Sequence, residues 1–143
     1  MTEREKVHQE TEDAIHRADE FVQTIERDML CIDDRINAFR LKQQGYEHLL
    51  IHINSIQSAD KETLVNIGEG IHVKAEFNKK NMMLVGIGLG FYLEVSINEA
   101  KEIAQKQIER LEMEIQHDLL ELAKRKATLT LTNQGKQLLE KGF

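Results

Sequence analysis

Leu64-Val65-Asn66-Ile67-Gly68-Glu69-Gly70-Ile71-His72-Val73 is followed, at an offset of twenty residues, by Leu84-Val85-Gly86-Ile87-Gly88-Leu89-Gly90-Phe91-Tyr92-Leu93. Setting Leu64, Val65, Ile67, Gly68, Gly70, Ile71, His72 and Val73 against Leu84, Val85, Ile87, Gly88, Gly90, Phe91, Tyr92 and Leu93 gives five identities in eight; the other three pairs stay apolar or ring-bearing. Self-similarity at a fixed offset marks a duplicated structural unit. Each copy reads as strand, bend, strand, because β-branched and aromatic residues suit a pleated surface and glycine permits a sharp change of direction. The bends fall at Gly68-Glu69-Gly70 and at Gly88-Leu89-Gly90. Asn78, Lys79, Lys80 and Asn81 supply a polar turn between the copies. Four short strands are predicted, either as two small hairpins or as two bent strands paired along their length.

So few strands do not close a stable sheet, and their apolar faces and open edges need a cover. That cover is another chain, added through the edge carrying Val65, Ile67, Val85 and Ile87, or the chain's own helices.

Outward from the repeat, both flanks are helical. Ile15, Ala18, Val22, Ile25, Met29, Ile32, Ile36, Phe39, Tyr46, Leu50 and Ile53 recur in steps of three and four, with Gln43 occupying one step. This is a heptad seam, expected in a coiled coil and also compatible with a three- or four-helix bundle. The phase is kept across Gly45, so one continuous helix is predicted. Beyond the last strand, Ser96 and Glu99 have capping-box spacing and start a second helix. Its stripe is Ala100, Ala104, Ile108, Leu111, Ile115, Leu119, Leu122 and Leu129, interrupted by Lys126. Residues 1–30 hold nine acids and four bases, and residues 124–143 hold five bases and one acid. Opposite charges of −5 and +4 favour an antiparallel pairing of the two arms, though the apolar seam supplies the stability.

Three threonines and an asparagine between Ala127 and Asn133 predict a weakened helix there. Leu138, Leu139 and Phe143, with Val7 and Ile15 on the opposite arm, then either leave apolar surface near the ends of the arms or serve as ordinary seam and tail residues.

The remaining chemistry is mostly exclusion. A chain of 143 residues with net charge −6 is bounded at one ordinary domain and has no electrostatic reason to grip nucleic acid or an acidic membrane. The stretch from Met82 to Val95 is broken by three glycines and falls short of a membrane span. The lone Cys31 forms no internal disulfide, and no secretory signal pattern precedes it, so a reducing, intracellular compartment is expected. Gly86, Gly88 and Gly90 lack the spacing and βαβ context of a dinucleotide loop. His8, His16, His48, His52, His72 and His117 assemble no ligand signature, although His48 and His52 stand four apart. Asp33 and Asp34 fit a solvated face. No catalytic residue, cofactor or metal is expected.

A long helix, a duplicated β unit and a returning helix together resemble the prefoldin family, specifically its alpha-type subunits with two hairpins. The resemblance is strongest over Leu64–Val73 and over Met83–Ala100. It implies an α+β fold, a long antiparallel coiled coil joined by two small β-hairpins, as a single domain 1–143: helix 1–57, hairpin body 62–95, helix 96–143. It implies that Val65, Ile67, Ile71, Val73, Val85, Ile87, Phe91 and Leu93 build a hexamer's body and its interfaces, with Gly68, Gly70, Gly88 and Gly90 shaping the bends. Client contact would fall to Val7, Ile15, Leu131, Leu138, Leu139 and Phe143. The implied partners are other prefoldin or prefoldin-like subunits and unfolded or unassembled clients, with a chaperonin or the R2TP co-chaperone beyond them, in the cytoplasm and nucleus. The implied activity is ATP-independent holding of clients, with an adaptor for folded transcriptional or assembly factors as the alternative. Two departures are the Asn78–Asn81 turn, where conventional alpha subunits carry an aspartate, and the threonine- and glycine-bearing final arm.

Overall fold

The computed structural model describes residues 2–58, 62–76 and 81–142. The chain runs α1 (Glu3–Ser58), β1 (Glu62–Gly68), β2 (Ile71–Glu76), β3 (Met82–Gly88), β4 (Phe91–Ser96) and α2 (Ile97–Lys141). Of the two strand arrangements open to the sequence, the structure adopts the hairpins: β1 pairs antiparallel with β2, and β3 with β4, as separate two-stranded sheets. The fold is α+β, with two long helices joined by two small hairpins. Of the polar turn between the hairpins, Asn78, Lys79 and Lys80 lie outside the described residues.

Each helix begins on a hydrogen-bonded cap. The Thr2 N–H donates to Glu5 Oε2 at 2.7 Å, which also holds the Glu5 carboxyl below its ordinary range. At α2, the Ser96 N–H donates to Glu99 Oε2 (3.1 Å) and the Glu99 N–H donates to Ser96 Oγ (3.2 Å), a reciprocal capping box. Gly45 leaves α1 unbroken. The weakening expected between Ala127 and Asn133 does not break α2. Thr128, Thr130 and Thr132 each donate their hydroxyl to the carbonyl four residues back, at 2.8–3.0 Å. Their polar groups are thereby satisfied within the helix.

Two compact units are present, one formed by residues 1–40 with 113–143, the other by residues 41–112. In the first, Ile32, Ile36 and Ile115 are buried, with Phe39, Leu119 and Leu122 packed around them. The helices there are antiparallel, since Arg35 bonds Asp118 while the earlier Asp19 bonds the later Lys136. In the second, Ile53, Val95, Ile97 and Ala100 are buried together, with Met83, Val85 and Ile103 against them. Gln43 bonds Glu112, and Lys101 bonds Gln57, so the helix segments are antiparallel here too.

Asp118 is the one buried charged residue among those described, only 3% exposed. It accepts two bonds from one guanidinium: Arg35 Nε donates to Oδ2 (2.7 Å) and Nη2 to Oδ1 (2.8 Å). This fork holds the Asp118 carboxyl below the ordinary carboxylate range and raises Arg35. A charged group at one seam position fixes register, because sliding the helices would strand it. A shift by one heptad would set Asp118 beside Asp28 in one direction, and in the other would set Arg35 beside Arg125 with Asp118 beside Lys42, so neither shifted register pairs both groups.

Candidate interaction surfaces

The two hairpins have one backbone. In each, the register slips by a residue before the turn, at Asn66/Gly68 and at Gly86/Gly88, which is a bulge at Ile67 and Ile87. The turn then runs through three left-handed residues: Gly68, Glu69 and Gly70 at φ 124°, 48° and 78°, and Gly88, Leu89 and Gly90 at 104°, 53° and 79°. Glu69 and Leu89 adopt this conformation despite carrying a Cβ, a strain of about 1–2 kcal/mol. The sequence places the bends on these two triplets and assigns the special conformation to their glycines, without extending it to Glu69 and Leu89. The signal was present in their place between paired glycines.

The surroundings of the hairpins differ. In the first, Val65, Ile67, Ile71 and Val73 are all 44–64% exposed, and Ala75 alone is half-buried. In the second, Met83 and Val85 are half-buried and Val95 is buried. The Ile97 N–H also donates to the Asn81 carbonyl (3.0 Å), tying the foot of this hairpin to the start of α2. Its far end stays open: Ile87, Phe91 and Leu93 are exposed, and Leu89 is 97% exposed. Tyr92 lays its ring over Gly86, with Cε1 3.5 Å from where a Cβ would sit. In the first hairpin the equivalent Asn66 instead accepts the Gly68 N–H at Oδ1 (2.9 Å).

Of the residues assigned to client contact, Val7, Leu131 and Leu138 are exposed, while Ile15 and Leu139 are half-buried. Phe143 lies outside the described residues. Leu131 and Leu138 share a helix face with Met113 and Leu120, two exposed residues the sequence reading passed over because they fall off the main stripe.

Lys136 bonds Asp19, which raises its pKa, and also meets Glu140 at 3.7 Å. Among the described residues no group of His, Cys, Asp and Glu is placed to hold a metal ion, and no helix is long and apolar enough to cross a membrane. What the molecule presents is apolar surface on strands and along helices. That suits binding to other polypeptides.

The profile of the Prefoldin subunit family matches residues 25–139. The chain is 31% identical over 93 residues to prefoldin subunit alpha of Pyrococcus horikoshii, a match covering 63% of each protein. It is 32% identical over 75 residues to prefoldin subunit alpha of Thermofilum pendens, covering 52% of this chain and 57% of that one. These matches span less than two thirds of either alpha subunit. A third relative, the probable prefoldin subunit 5 of Caenorhabditis briggsae, is 21% identical over 118 residues, covering 81% of this chain and 77% of its own. A chain in the cryo-EM structure of filamentous PFD from Methanocaldococcus jannaschii has the same fold, with a TM-score of 0.70 over 78% of this chain and 94% of that one at 18% identity. The chain therefore belongs to the prefoldin subunit family, whose members are non-catalytic, and it has the two-hairpin architecture of the alpha type.

Proposed function

We propose that this chain is an ATP-independent chaperone or co-chaperone subunit that joins a hetero-oligomer through its hairpins and holds unfolded or unassembled proteins with its helices. The observation that carries the reading is the first hairpin. A two-stranded hairpin is marginal in water on its own, yet this one exposes Val65, Ile67, Ile71 and Val73. Strands of neighbouring subunits are the cover that stabilises it, with Val85, Ile87, Phe91 and Leu93 of the second hairpin in the same body. Several copies of the helical arms in one assembly raise the effective concentration of later client contacts once the first has formed.

The segment Met83–Ala100 is similar to that of the ubiquitously expressed transcript protein, a eukaryotic prefoldin-like subunit. That likeness supports a place in a prefoldin-like assembly beside the R2TP co-chaperone, in the cytoplasm and nucleus, over a conventional prefoldin that passes clients to a chaperonin. Native mass spectrometry of the affinity-purified assembly tests the oligomer, and a stable lone monomer would overturn it. Suppression of aggregation of a denatured client tests the activity. The assembled protein suppresses it, and a version shortened to remove Val7, Ile15, Leu131, Leu138 and Leu139 does so less; equal suppression discards holding by these residues.

A second reading, an adaptor for folded transcriptional or assembly factors, is favoured by one observation. The exposed apolar residues of α2 are spread in a line from Met113 to Leu138. A line of that kind matches a helix better than it matches an irregular client segment.

A further inference from the structure

At their far ends the hairpins carry Ile67-Gly68-Glu69-Gly70-Ile71 and Ile87-Gly88-Leu89-Gly90-Phe91, so one backbone shape presents an acid at one apex and a leucine at the other. The first apex is finished for water. Asn66 Oδ1 accepts the Gly68 N–H (2.9 Å), the His72 Nδ1–H donates to the Gly70 carbonyl (3.0 Å), and Glu69 is exposed. The second apex has no such groups. In place of Asn66 and His72 stand Gly86 and Tyr92, whose ring lies on Gly86. Ile87, Leu89 and Phe91 are 64%, 97% and 66% exposed, and residues 82–93 include no charged side chain.

Leu89 is disfavoured twice as it stands. Its Cβ opposes the left-handed backbone, and its side chain lies almost wholly in water, touching little of its own chain. Glu69 shows that a polar residue fits the same turn. A cover from outside the chain offsets both costs at Leu89. The paired strands and the turn hold this side chain at one place, and an apolar group presented in that way suits a preformed pocket better than an irregular segment that must order itself to bind.

We infer that Leu89 is the residue by which assembly distinguishes the second hairpin from the first. It seats, with Ile87 and Phe91 around it, in an uncharged apolar pocket of a neighbouring subunit of the same fold, and Glu69 bars the first hairpin from that pocket. The barrier is the cost of burying a carboxylate with no base to pair it. The fold builds pockets of this chemistry. In this chain Tyr46, Leu49, Met83, Val85, Ile103 and Ala104 help to line a groove of about 320 Å³ with no charged side chain in its wall. A cavity of roughly 150 Å³ already holds a benzene-sized group. The inference rests on the proposed assembly through hairpins and makes the places of the two hairpins in it non-interchangeable.

The test is native mass spectrometry of the assembly affinity-purified through the full chain, for the parent, Leu89→Glu, Leu89→Ala and Glu69→Leu. Leu89→Glu is expected to lower recovery of one neighbouring subunit at least about tenfold while the others stay, and Leu89→Ala to act in the same direction by less. Glu69→Leu is expected to keep every neighbour and add a further copy of that one, whose mass identifies it as another chain or a second copy of this one. Both positions are exposed, so circular dichroism of each variant should match the parent. If Leu89→Glu alters it, Leu89→Asn, which suits a left-handed backbone, takes its place with the same expected loss. Unchanged recovery of every subunit in the Leu89 variants overturns the pocket, and a Glu69→Leu assembly identical to the parent's overturns the barrier. In both cases assembly through hairpins still stands. A parent chain that brings down no subunit overturns that reading and this inference together.

Discussion

The two hairpins share their bulge, their turn and five of eight aligned repeat residues, yet one is docked and the other stands open. The difference lies at one cross-strand pair. In the second hairpin Met83 is opposite Val95, and both pack on Ile53, Ile97 and Ala100. Twenty residues earlier the equivalent pair is Thr63 opposite Ala75. Threonine brings a hydroxyl that is unfavourable to bury unpaired, and alanine contributes little apolar area. The repeat therefore encodes a shape, and the residues at its foot decide whether the shape is held by the chain or left for a neighbour.

The sharpest way to break this comparison is to place a charge at each foot. Val95→Asp is expected to lower the stability of the isolated chain by at least about 3 kcal/mol, because a carboxylate would be forced into the Ile53 cluster. Ala75→Asp at the equivalent position should stay within about 0.5 kcal/mol. Urea unfolding of the two variants reads both values; similar losses would mean the hairpins are held alike. Hydrogen exchange on the isolated chain gives a smaller contrast. Amides of β1 and β2 should exchange at least about tenfold faster than those of β3 and β4, and should gain protection on assembly with partner subunits. Unchanged exchange in the assembly would remove the first hairpin from the interface.

A third measurement separates both hairpins from the helices. The Arg35 fork depresses the Asp118 pKa, so the pair stabilises fully at neutral pH and its contribution is lost as pH falls through and below the ordinary carboxylate range. Asp118→Asn should lower the melting temperature by a few degrees at pH 7 and leave it less sensitive to acid. The spread between hairpin exchange rates should not move. The smallest effect is at the turns. Leu89→Gly and Glu69→Gly each relieve a left-handed residue, partly offset by the greater freedom of glycine when unfolded, for a net gain of about 0.5 kcal/mol. Equal gains at the two sites would show that the turns are the same device. An additional loss of assembly confined to Leu89→Gly would mark its exposed side chain as a subunit contact.

Much of this was legible in residue order. The heptad seam gave Ile25, Ile32, Ile36, Ile53, Leu111 and Ile115 as buried, and the Ser96–Glu99 box located the start of α2. Other features were not, for one common reason. Asp118 sits between Ile115 and Leu122 in the seam, and an acid there reads as an interruption until Arg35 arrives from 83 residues away. Thr63 with Ala75 and Met83 with Val95 hold the same places in the repeat, and only what lies across from them separates the two hairpins.

The sequence alone determined what depends on neighbours along the chain: helix caps, heptad phase, glycine turns and the duplication of the strand unit. Each is set by backbone sterics and hydrogen bonds within a few residues. Only the tertiary structure decided which hairpin finds the Ile53 cluster, and that Asp118 is buried with its charge satisfied. Burial is a property of what lies across space, and neither copy of the repeat, read by itself, specifies what will lie against it.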